Sequence, residues 1–77
     1  MNDARRKTLA KALDALENAK GDLEGIKDEE QESFDNMPEG LQGGEKGEKA
    51  QEVIDNLDTA IASLEDAIAN VNSSMES

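Results

Sequence analysis

The chain has 77 residues, a net charge of −11 at pH 7, and neither Cys nor His. That length allows one domain at most, with a core small enough that oligomerisation commonly completes it. Disulfides, thiolate or imidazole metal sites, Cys nucleophiles and His acid–base catalysis are excluded, and the acidity opposes nucleic acid and anionic membrane at long range.

The first residues, "MNDARRKTLAKALDAL", carry basic groups, but Lys11 and Asp14 interrupt the apolar positions that a signal-peptide core needs. No run approaches the length of a membrane span, and a soluble intracellular protein is expected. Asn2 or Asp3 offers a short side-chain oxygen to cap a first helix, predicted over residues 3–33. Leu9, Leu16 and Leu23 share one heptad position, Ala12, Ala19 and Ile26 the position three residues later, and Leu13 widens the stripe. Gly21 and Gly25 fall away from that seam, and each costs about 1 kcal/mol relative to Ala. Two readings stand for them: a local bend or fray, or a flat patch where a second subunit or target meets the backbone.

Residues 34–44 form the predicted connector, which holds the only Phe and the only Pro. Pro38 disfavours helix at Met37 but suits the first position of a new turn, so "PEGLQ" reads as a short helical turn. Gly43 and Gly44 let the chain reverse, with Gly44 as a permissive cap. Phe34, Met37 and Leu41 exceed what the two-helix seam requires. Either they plug the open end of a bundle, or that end is a docking surface. In the second case Phe34 is the anchor, and Ser33, Asp35, Asn36 and Gln42 supply hydrogen bonds around it.

The second helix, predicted over 45–74, is more regular. Ile54, Ile61, Ile68 and Met75 occupy one heptad position and Leu57, Leu64 and Val71 the other. Val53, Ala60 and Ala67 line one flank, making the apolar face wider than one partner helix needs, so they are the expected oligomer interface. The fold class is therefore all-α: an antiparallel two-helix hairpin with coiled-coil-like packing, dimerising into a four-helix bundle.

Charge supports the hairpin independently. The first helix begins with Arg5, Arg6 and Lys7 and ends with Asp28, Glu29, Glu30 and Glu32, opposite to what its macrodipole favours. In an antiparallel hairpin the acidic end lies beside the positive N-terminus of the second helix, with Lys46 and Lys49 as its expected partners. Exposed pairs of this kind contribute about 0–1 kcal/mol each and select orientation more than they stabilise.

Catalytic and cofactor motifs are missing. The D-x-[DN]-x-[DN]-G calcium spacing and the G-x-x-x-x-G-K-[ST] phosphate loop are absent, and exposed carboxylates on a hairpin offer no deep cleft to raise a pKa. The expectation is a non-enzyme without cofactor or metal.

The stretch "LEGIKDEEQESFDNMPEGLQGGEKGEKAQEVIDNLDTAIASLEDAI", Leu23 to Ile68, resembles a family of small helical proteins carried by phages, prophages and related mobile elements of Gram-positive bacteria. These pair a DEEQE-x-FDNMPE-x-LQ connector with an acidic heptad helix. Gly43-Gly44 stands where the family pattern has a Ser cap, so the cap here is weaker. The resemblance implies a phage context and, by analogy, a counter-defence protein that binds a host factor stoichiometrically. It would occlude a host protein or sequester a nucleotide-like immune signal, with Arg5, Arg6, Lys46 and Lys49 as the available phosphate partners. Two alternatives stand beside this. One is an acidic DNA mimic presenting Asp55, Asp58, Glu65, Asp66 and the Asp28–Glu32 run; the other is a structural coiled-coil adaptor.

Overall fold

Asn2 begins the first helix: its Oδ1 accepts from the Arg5 amide at 2.8 Å, satisfying one of the free donors of the first turn. In the computed structural model, which describes residues 1–76, helix α1 spans Asp3–Asp35, helix α2 Glu39–Gln42, and helix α3 Glu45–Glu76. α1 and α3 pack along their length as a hairpin 58 Å long and 14 × 13 Å across. α1 runs two residues beyond the expected 3–33 and passes through Gly21 and Gly25 without interruption, so no fray occurs there. α3 likewise runs two residues beyond the expected 45–74.

The α3 seam follows the expected rows. Gly47, Ile54 and Ile61 in one row and Ala50 in the other are buried, and Leu57, Leu64, Ile68, Val71 and Met75 are half-buried. Gly47 and Ala50 extend the two rows by one heptad towards the connector.

The α1 seam differs from expectation. The half-buried rows are Leu9, Leu16, Leu23 and Glu30, and, four residues on rather than three, Leu13, Lys20, Lys27 and Phe34, with Arg6 one heptad before Leu13. Ala12 and Ala19 are exposed, and Ile26 is 46 % exposed. The helix is therefore rotated from the Ala12/Ala19/Ile26 reading. Leu13, Phe34 and two lysine stems cover more apolar area than two alanines and one isoleucine. The lysine heads also find anions on α3: Lys20 pairs with Glu65 at 3.9 Å and Lys27 with Asp58. The Asp58 carboxylate, as the hydrogen-bond acceptor, raises the Lys27 pKa above its ordinary value.

These pairs give the hairpin two unlike sides. One carries Glu17, Glu24, Asp58 and Glu65 with the two lysines. On the other, the exposed row Ala12, Ala19, Ile26 and Ser33 of α1 lies beside Val53, Ala60 and Ala67 of α3. Ser33, Lys46 and Val53 line one recess, which confirms that the two rows share a side. The core between the helices is thin: Ala50, Ile54 and Ile61, from 3 to 8 % exposed, are its buried hydrophobic residues.

Candidate functional site

The connector is held by its own backbone and by one side chain. α1 closes with the Asn36 N–H donating to the Glu32 carbonyl at 3.0 Å and the Met37 N–H to that of Phe34 at 3.1 Å. Pro38 takes the position before α2 rather than its first residue, and its carbonyl accepts from Leu41 (2.8 Å) and Gln42 (3.1 Å). Its fixed φ of −56° suits that place, and its ring removes an amide no acceptor there requires.

Gln42, expected as a hydrogen-bonding group for a ligand, is committed internally. Its Nε2 donates to the Phe34 and Met37 carbonyls, both at 3.1 Å, giving the Phe34 carbonyl a second donor beside the Met37 N–H and pairing the Met37 carbonyl just beyond α1. A second link ties the connector to α3. A Cβ on Gly47 would lie 2.7 Å from the Gln42 Cα and closer still to its carbonyl carbon and oxygen, so the end of α2 rests directly on the first turns of α3. Only glycine permits this approach. The signal was present in the sequence: Gly47 stands seven residues before Ile54, in the row that faces α1.

The locked connector sorts the expected contact residues. Phe34 and Met37 are half-buried and close the end of the hairpin, and Phe34 also completes the α1 seam row. Leu41 does not join that plug; it is 48 % exposed at the tip. Ser33, Asp35, Asn36 and Pro38 are exposed around it, Asp35 accepting from the Gln31 amide at 3.0 Å. A recess of about 340 Å³ opens beside the tip, between Glu30, Ser33, Met37, Lys46, Lys49, Ala50 and Val53. Lys46 and Lys49 thus lie near the acidic end of α1, as charge predicted, but among the described residues the interhelical ion pairs use Lys20 and Lys27 instead.

The four cations named as phosphate partners do not converge within one chain. Arg5 and Arg6 are at the open end, Arg6 pairing with Asp3 at 3.9 Å, while Lys46 and Lys49 are at the tip. Thirty helical residues at 1.5 Å each place the two groups about 45 Å apart. The acidic row named for mimicry is also partly neutralised: Asp58 and Glu65 carry lysines, and Asp55 accepts from the Gln51 amide at 3.1 Å. Of that row, Asp66 is exposed without such a neighbour among the described residues. No described helix is long and apolar enough to cross a membrane. No family model matches the chain, and comparison with curated proteins and with solved structures likewise finds no match.

Proposed function

We propose that this protein is a non-enzymatic, stoichiometric binding protein that presents the connector tip to a target from a self-associating helical stalk. Leu41 carries the reading: a large apolar side chain 48 % exposed on a loop whose shape is otherwise fixed by Gln42, Phe34 and the Gln42–Gly47 approach. A rigid loop with an exposed apolar anchor and polar neighbours loses little entropy on binding, which favours affinity from a small surface. Val53, Ala60 and Ala67, joined by Ala12, Ala19 and Ile26, form the self-association side. The connector's resemblance to phage and prophage proteins supplies the setting: counter-defence in the cytoplasm of a bacterial host, by occluding a host protein. Sequestration of a nucleotide-like signal is the less supported form, because it needs cations from two chains.

Affinity capture from host lysate tests the reading with three baits: the native chain, Leu41→Asp, and Asp66→Asn with Glu65→Gln. A host protein held near one-to-one by the native chain and the third bait, but not by Leu41→Asp, is the expected result. A partner that ignores Leu41→Asp and is released as salt rises would instead mark the acidic side as the contact and identify a DNA mimic. Native mass spectrometry of the same eluates reports any intact nucleotide retained.

A further inference from the structure

The stalk's apolar side stays uncovered in one chain. Ile26 and Val53 are 46 % and 42 % exposed, and Met1, 46 % exposed at the open end, lines a recess with Arg5 and Leu9. The hairpin's length and width give this side roughly 800 Å², the contribution of one partner to a stable interface. The three buried hydrophobic residues between the helices are a thin core for 77 residues, so the chain gains most from a partner that runs the whole length of this side. A second copy supplies a face of equal length and like polarity, and a two-fold axis lets the same surface serve both.

Two two-fold arrangements lay face on face, with the connector tips at the same end or at opposite ends. Every helix has antiparallel neighbours in both, so the macrodipoles favour neither. Side-chain charge separates them. The Lys20–Glu65 pair marks a level near mid-length. Residues 20–65, which contain the tip, hold fourteen carboxylates and four basic groups, net −10; residues 1–19 and 66–77 hold five and four, net −1. Tips at the same end would press two halves of −10 together across about 10 Å, near the distance over which physiological salt screens. Tips at opposite ends set each −10 half against a −1 half that carries Arg5, Arg6, Lys7 and Lys11.

We propose that a second copy of this chain covers the Ile26–Val53 side in the opposed arrangement, making a four-helix bundle with one connector tip at each end. This rests on the self-association side of the functional reading and adds what the assembly does: it is bivalent, able to hold two target molecules. It does not join the two tips into one composite pocket. It also brings Arg5 and Arg6 of one copy to the tip end of the other, near Lys46 and Lys49, cations that no single chain assembles.

The chain has no Cys, so Gly40→Cys gives one spin-label site per copy. Gly40 lies at the tip, with nothing within 4 Å of an added Cβ. Pulsed dipolar spectroscopy on the purified labelled chain, with no target present, should give a label–label distance of about 50 Å, near the 58 Å length of the hairpin. A distance of about 20 Å, the width of two helices, overturns the opposed arrangement. A monomer mass without dipolar signal overturns the second copy altogether and leaves the target reading to the capture experiment. Ile26→Lys with Val53→Lys should lower the mass to one chain; a dimer that persists in this variant means another face makes the contact. Raising salt from 50 to 500 mM should tighten the native dimer, because both copies are net acidic.

Discussion

Replacing Gly47 with Ala sets two well-calibrated effects against each other. The gain is intrinsic: Ala exceeds Gly in a helix interior by about 1 kcal/mol. The cost is local and larger. The new Cβ would lie 2.7 Å from the Gln42 Cα and nearer to two further backbone atoms, inside the 3.0 Å that real Cβ atoms essentially never breach. Backbone cannot swing aside as a side-chain tip can, so α2 must lift by a distance on the order of 1 Å, an overpacking cost of about 1–3 kcal/mol. Lifting also strains the two bonds from Gln42 Nε2 to Phe34 and Met37, each contributing about 1 kcal/mol. The net expectation is a loss of about 2–3 kcal/mol. Gly21→Ala is the matched control, because its Cβ meets nothing within 4 Å and should recover the full propensity gain of about 1 kcal/mol. Urea unfolding followed by far-UV circular dichroism at one protein concentration measures both. If Gly47→Ala proves as stable as Gly21→Ala, the close approach of α2 to α3 is not what requires glycine there.

Two more expectations concern the same framework. Gln42→Glu keeps the shape but replaces the amide donor by an ionised acceptor facing two carbonyls, so it should destabilise by about 2–3 kcal/mol, more than Gln42→Ala at about 1–2 kcal/mol; urea midpoints rank the three chains. The folded-state pKa of Lys27 is raised above its ordinary value of 10.5 by the hydrogen bond to Asp58. Its contribution is therefore fully present below about pH 10.5 and declines as pH rises through the higher folded value. The melting temperature of the native chain should fall more between pH 9.5 and 12 than that of Lys27→Met; parallel curves would show that the pair contributes nothing.

Much of the architecture was legible because it repeats. The α3 rows at Ile54, Ile61 and Ile68 and at Leu57 and Leu64 admit one helical face, and the reversed charges of α1 admit one hairpin direction. The α1 seam departs from the hydropathy pattern because lysines register there as polar. Lys20 and Lys27 hold seam positions with their stems while their heads reach Glu65 and Asp58, and a hydropathy pattern registers only the heads. The same rotation moved Phe34 from a surplus residue to the end of the seam and left Ile26 outside it.

At the tip, composition marked the right segment without assigning its parts. In the sequence Phe34 and Leu41 share one reading, plug or docking surface, and Gln42 is a hydrogen-bonding group for a ligand; in the structure Gln42 is an internal cap, Leu41 an exposed apolar residue, and Phe34 a plug. What the sequence determined by itself was helical type, length and antiparallel direction, because those follow from periodicity and charge order along one chain. Which α1 row faces α3, which side remains bare, and why Gly47 must be glycine were decided only by tertiary structure. Each depends on the distance between atoms far apart in sequence, and no local pattern encodes that distance.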